Sequence, residues 1–186
     1  MKHSSAKDRN LELITSNERD ELLASFNHEA LHLEMRDAYA IEDETERLAR
    51  FLEKGYRDHN AEAEERRPWT TLVQDAVSAG KVFKRVRVIS EPVTDYIRYE
   101  WAGTDVNVDA GEQIKWLPRR LASAIALPGN DFWLFDDSTV IFTVFTGKGE
   151  VFERQLTTDP AVIQFCRSAF EATWTIAIPH SEYRPA

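Results

Sequence analysis

The tract Asp131-Phe132-Trp133-Leu134-Phe135-Asp136-Asp137-Ser138 constrains this chain more than any other part of it. Four consecutive large apolar residues bounded by short acidic ones read as a buried strand ending in a tight turn. Val140 to Phe145 supplies a second strand, Gly147-Lys148-Gly149 a second hairpin turn, and Val151 to Leu156 a third strand. Asp159 then caps a closing helix that Pro160 opens and that runs to about Trp174. A meander of this kind must bury one face against other elements, so the remainder of the chain is expected to cover it.

Upstream, Val82 to Ile89 alternates apolar and basic residues and predicts a strand with one buried face, leaving Lys81, Lys84, Arg85 and Arg87 on the wet side. Pro68 opens a helix that carries Trp69, Leu72, Val73 and Ala76 until Gly80 stops it. Ser90-Glu91-Pro92 breaks the strand and starts a helix through Tyr96 and Trp101. Gln113 to Leu117 is a further strand, and Arg119 to Ile125 a short helical turn. The first 67 residues hold 17 acidic and 11 basic side chains, one glycine, and neither proline nor tryptophan. They read as acidic helices: one capped near Ser16, one through Ala30, Leu31, Leu33, Met35 and Ala38, and one from Glu42 to Glu53 ended by Gly55. Residues 62–67 form a charged connector. The expected architecture is α/β (α+β): a helical N-terminal arm over residues 1–67, then a domain over 68–186 with a mixed, mostly antiparallel sheet covered by helices.

A chain of 186 residues with 42% hydrophobic side chains can bury a substantial core. Its net charge of −9 disfavours direct nucleic-acid binding, which needs a basic face. The single cysteine, Cys166, excludes an internal disulfide and a Cys-rich zinc site, and its apolar helical context reads as a buried thiol. No stretch approaches the length of a membrane span, and Met1–Asn10 is too polar for a signal peptide, so the expected location is the cytoplasm. No cofactor is expected.

Three groups of residues could carry chemistry. His28-Glu29-Ala30-Leu31-His32 matches a zinc-peptidase pattern: histidines four apart on a helix share a face, with the glutamate as general base. A metzincin would continue with Gly at 35 and His at 38, where this chain has Met35 and Ala38. The preferred reading is therefore a helix with histidines at the rim of its packing face and no metal, and the alternative is a zinc-dependent hydrolase using His28 and His32. Asp131, Asp136 and Asp137 bracket the strand, and turn chemistry accounts for Asp136-Asp137 better than acid–base catalysis does. Finally, Arg87, Arg98 and Arg119 come from element ends, where guanidinium groups either clamp a carboxylate or phosphate or pair with Glu91 or Asp131. With Tyr96, Trp133 and Asp136, these residues form the candidate lining of a ligand pocket.

Gly111-Glu112-Gln113-Ile114-Lys115-Trp116-Leu117-Pro118-Arg119 and Leu127-Pro128-Gly129-Asn130 through Asp137 resemble an uncharacterised actinobacterial family, typically encoded beside XRE-type helix-turn-helix regulators. Leu33-Glu34 with Tyr39, Glu91-Pro92 through Glu100, Asp159-Pro160, and Phe170-Glu171 to Trp174 extend the resemblance from about Leu23 to the C-terminus. Residues 80–180 are also distantly similar to phospholipase-D-like sensor domains, but the His-x-Lys of the active enzymes is missing: positions 30, 34, 61 and 182 hold Ala, Glu, Ala and Glu. The resemblance implies a non-catalytic regulatory or ligand-binding module with a phospholipase-D-like half. Its expected partners are a helix-turn-helix regulator, a small-molecule ligand, or a second copy of the chain.

Overall fold

The computed structural model describes residues 11–186, apart from the side chains of residues 42 and 43. The segment Met1–Asn10, read above as too polar for a signal peptide, lies outside the described residues. The strands are β1 (Glu12–Ile14), β2 (Glu29–Glu34), β3 (Val82–Ile89), β4 (Gln113–Pro118), β5 (Asp131–Phe135), β6 (Thr139–Phe145), β7 (Val151–Thr157) and β8 (Ile178–Pro179). The helices are α1 (Ser16–Ser25), α2 (Glu42–Lys54), α3 (His59–Ser78), α4 (Asp95–Asp109) and α5 (Pro160–Ile176). All eight strands form one sheet in the order β1-β7-β6-β5-β2-β3-β4-β8. The β2–β3 and β3–β4 pairings are parallel and the others antiparallel, so the sheet is mixed and mostly antiparallel, as expected.

The meander forms where the sequence placed it. Asp136 and Asp137 both have positive φ (49° and 51°) in the three-residue loop between Phe135 and Thr139, where Ser138 N–H donates back to the Phe135 carbonyl and closes a tight turn. The Asp136 carboxylate also accepts from the backbone N–H groups of Asn27, His28 and Glu29 at 2.6, 2.7 and 3.0 Å, fastening the hairpin to the start of β2. Burial opposes its ionisation, but these three donors outweigh that and hold its pKa below the usual carboxylate value.

The N-terminal third departs from the expected helical arm. Residues 29–34 are not helical; they form a central strand between β5 and β3. The run Ala30, Leu31, Leu33 fits a strand covered on both faces as well as it fits a helix, and only the pairing partners distinguish the two. Residues 12–14 add an edge strand against β7. The connector over 62–67 is helical, because α3 starts at His59 with Asp58 as cap, and Pro68 lies inside it. The expected boundary at 67/68 thus falls within one helix. The Arg119–Ile125 turn is a single 3-10 turn, Arg119–Leu121.

Two layers of helix sandwich the sheet. Helix α5 lies on one face, where Ile163, Cys166 and Phe170 pack against Leu31, Leu33, Val86, Val88, Phe132 and Leu134. Cys166 is fully buried there, and burial pushes its thiol up to about 12. Helices α1 and α3 cover part of the opposite face, with Leu23, Phe26, Val73 and Ala76 against Ala30, Phe83, Trp133 and Phe135. Helix α4 covers the far end through Tyr96 and Ile97, packed with Ile89 and Trp116. Between these two apolar patches, the second face of the sheet is polar.

Candidate functional site

Strand alternation builds the polar centre. On β2, Ala30, His32 and Glu34 face the α1–α3 side, as Phe83, Arg85 and Arg87 do on the neighbouring β3 and Asp131 and Trp133 on β5. Arg85 and Arg87, read from sequence as the solvated side of a strand, are 8% and 6% exposed. That reading fails because α5 covers the Lys84, Val86 and Val88 face while helices also close over the arginine face.

An alternating ion-pair chain makes this burial tolerable. Glu112, itself almost fully buried, accepts from Arg85 Nε at 2.6 Å and from Trp69 Nε1 at 3.2 Å. Glu34 lies between Arg85 Nη1 (2.5 Å) and Arg87 Nε (2.7 Å). The Arg87 contact is an ion pair by distance, although its Nε–H is not aimed along a hydrogen bond. Arg87 Nη1 continues to Glu100 at 2.5 Å. Burial by itself lowers the pKa of Arg87, but Glu100 and Glu34 more than offset this and raise it.

An open cavity of about 280 Å³ lies over this chain of charges. Its wall includes His32, Glu34, Arg36, Tyr39, Glu44, Arg87, Tyr96, Asp131, Trp133, Phe145 and Arg154. The His32 ring stacks on Trp133, with centroids 4.0 Å apart. Burial, reinforced by the charges of Arg85 and Arg87, holds the His32 pKa well below its ordinary value, so the ring is neutral. Its Nδ1 lies 3.4 Å from Glu34 Oε1 and makes no hydrogen bond. Asp131 accepts from Met35 N–H at 2.9 Å and from Tyr39 Oη–H at 2.5 Å, yet burial pushes its carboxyl up to about 7. Glu44 accepts from Tyr96 Oη–H at 2.6 Å and is likewise pushed up to about 7, by burial and by the charge of Glu100. A second polar cavity of about 270 Å³, among α2, α3 and α4, shares Glu44, Arg85, Arg87 and Glu100 with the first.

Of the eight residues expected to line one pocket, the structure brings together Arg87, Tyr96, Asp131 and Trp133. The others lie elsewhere. Arg98 is half-exposed and pairs with Asp95. Arg119 donates to the carbonyls of Met35 (2.6 Å) and Val88 (3.1 Å), tying the loop after β2 to the end of β3. Glu91 binds Arg120 and Tyr183. Asp136 fastens the opposite end of β5, roughly 16 Å from Asp131 at about 3.3 Å per residue. His28 precedes β2 and His32 lies within it, roughly 13 Å apart at the same rise, instead of one helical turn. The zinc geometry that the motif requires is therefore lost, and among the described residues no group of three or more His, Cys, Asp or Glu is placed to hold a metal ion. Sequence reasoning missed Glu34, Arg36, Tyr39, Glu44, Arg85, Glu100 and Arg154. The alternation of Arg85 and Arg87 along a strand otherwise rich in valine was the one available signal.

The fold and this site define a mixed-sheet α+β domain with a buried ion-pair chain beneath an open, arginine- and aromatic-lined cavity. The chain belongs to the family DUF6879, a domain of unknown function, which it matches over residues 17–185. It is similar in structure to NucT from Helicobacter pylori, with a TM-score of 0.49 and 11% sequence identity over 91% of this chain and 96% of that one. No curated protein is significantly similar to it in sequence. Among the described residues, no helix is long and apolar enough to cross a membrane.

Proposed function

We propose that the protein is a non-catalytic binding module that holds a small molecule in the cavity over β2, β3 and β5 and passes its occupancy to a helix-turn-helix transcriptional regulator. One observation carries this reading: the cavity stays open although buried ion pairs and aromatic rings line it on several sides. A wall already organised by its own hydrogen bonds is the usual state of a preformed ligand site, since little ordering remains to be done on binding. The position agrees, because the cavity lies towards the carboxyl ends of the parallel strands β2 and β3, where crevices of α/β sheets bind ligands. Asp131 is engaged by Tyr39 and Met35, and His32 is stacked on Trp133, which supports a structural role for both in the wall of a binding site.

The regulator as partner rests on the sequence resemblance, together with an acidic chain that complements a basic DNA-binding protein. Actinobacterial origin and a cytoplasmic location belong to the same proposal. Thermal-shift screening of the purified chain against a metabolite library tests the binding reading. A ligand that raises the melting temperature and quenches tryptophan fluorescence is expected, and a library without one counts against it. Size-exclusion chromatography with the neighbouring regulator at low salt tests the partner. A mixed complex is expected, whereas self-association alone replaces the regulator by a homodimer.

A further inference from the structure

Five arginines and four carboxyl groups line the first cavity, in a chain whose net charge is −9. Two of the carboxyl groups, Glu34 and Glu100, are neutralised by Arg85 and Arg87. The other two, Asp131 and Glu44, are pushed up to about 7 by burial and carry only part of a charge at neutral pH. Of the other three arginines, Arg19 pairs with Asp20, which leaves Arg36 and Arg154. Each has a buried Nε without a hydrogen bond, and neither makes an ion pair among the described residues. Burial and the charge of Arg19 lower the pKa of Arg154, and the charge of Asp20 offsets this only in part.

These two arginines can serve one ligand. Arg154 lies opposite Thr143 across the β6–β7 pairing, and Phe145, two residues further along β6, carries the Arg36 guanidinium 5.3 Å above its ring. The nearby wall is aromatic: Trp133 stacked on His32, with Tyr39 edge-on to Phe145 at 5.1 Å. An apolar cavity of about 150 Å³ accepts a benzene ring. A space of about 280 Å³ therefore holds one ring with a carboxylate-sized substituent.

We infer that the ligand is a small planar aromatic acid, its ring against the Trp133–His32 wall and its carboxylate taken by Arg36 and Arg154. This rests on the reading of the cavity as a binding site. Guanidinium groups suit a carboxylate because their forked N–H donors match its two oxygens.

Calorimetry on the full chain with benzoate, benzamide and acetate tests the assignment. Benzoate should bind at least tenfold more tightly than either, since benzamide lacks the charge and acetate lacks the ring. R36Q and R154Q should each weaken benzoate about tenfold and leave benzamide unchanged, with unaltered circular dichroism and melting. Equal affinities for benzoate and benzamide, or arginine variants that bind benzoate like the parent, overturn the anion assignment while the cavity remains a ligand site. If no ring compound of any charge binds here or in the library screen, both readings fall together.

Discussion

His32 and Trp133 stack across the β2–β5 pairing, with ring centroids 4.0 Å apart and planes 15° from parallel. The histidine is buried beside Arg85 and Arg87, and its pKa is held well below 6.5. A histidine that stays neutral when folded but protonates when unfolded makes the unfolded state the better proton acceptor. Stability should therefore fall as pH drops below about 6.5. H32F keeps an aromatic partner for Trp133 and removes the proton site, so its melting temperature should decline less than the parent's between pH 7.5 and 5.5. Parallel curves for the two proteins would show that His32 is not a buried neutral ring.

Asp131 predicts the opposite slope. Its carboxyl is pushed from 3.8 up to about 7, so the folded state binds more protons than the unfolded state between those values. Its contribution then works against folding increasingly as pH rises from about 4 to about 7, with a ceiling of roughly 4 kcal/mol. D131N removes this dependence. Urea melts of parent and variant should differ most in relative stability between pH 5 and pH 8, with the variant gaining at the higher value. A difference that does not change with pH contradicts the assignment.

Arg85 is held between Glu112 and Glu34. Truncating it leaves Glu112, 1% exposed, as a buried charge whose strongest partner is gone. R85M should cost about 3–5 kcal/mol, the usual penalty for breaking a buried pair from one side. E112Q in the R85M background should restore part of that loss, because the orphaned charge goes with it. A double-mutant cycle in denaturant measures the coupling, and additive losses would mean the two residues act independently.

Gly103 lies in α4 beneath the Arg57 guanidinium: a Cβ there would stand 1.9 Å from Arg57 Nη1. Arg57 is buried, pairs with Glu62 at 2.5 Å and lies 3.9 Å over the Tyr99 ring. G103A should therefore destabilise the protein by about 1–3 kcal/mol, although alanine is the better helix former by about 1 kcal/mol. In an R57A background the same change should become neutral or stabilising. A G103A penalty that persists without Arg57 would place the clash elsewhere.

Local chemistry made much of this fold legible. Asp136-Asp137 and Gly147-Lys148-Gly149 mark hairpin turns, and Asp159-Pro160 marks a helix start, because those side chains satisfy backbone demands within a few residues. Strand β2 was not legible. Ala30 to Leu33 suits either period, and the strand exists because β3 pairs it on one side and β5, about a hundred residues away, on the other. Of the cavity wall, Trp133, Asp131, Arg87 and Tyr96 were expected from residue type. Arg119, Glu91 and Asp136 are of the same residue types but fasten loops and turns, and Arg98 pairs with Asp95 within α4.

The sequence alone thus determined the two hairpin turns, the capped start of α5 and which residues are apolar enough to form a sheet between helices. Only the tertiary structure decided what the charges mean. Arg85 and Arg87 look like a solvated strand face until helices close over them and Glu34, Glu100 and Glu112 arrive from β2, α4 and the segment before β4. His32 looks like half a zinc site until its backbone is extended and its ring meets Trp133. The free energy of a buried ionisable group depends on its solvation and on the charges within a few ångströms, and neither is a local property of the chain.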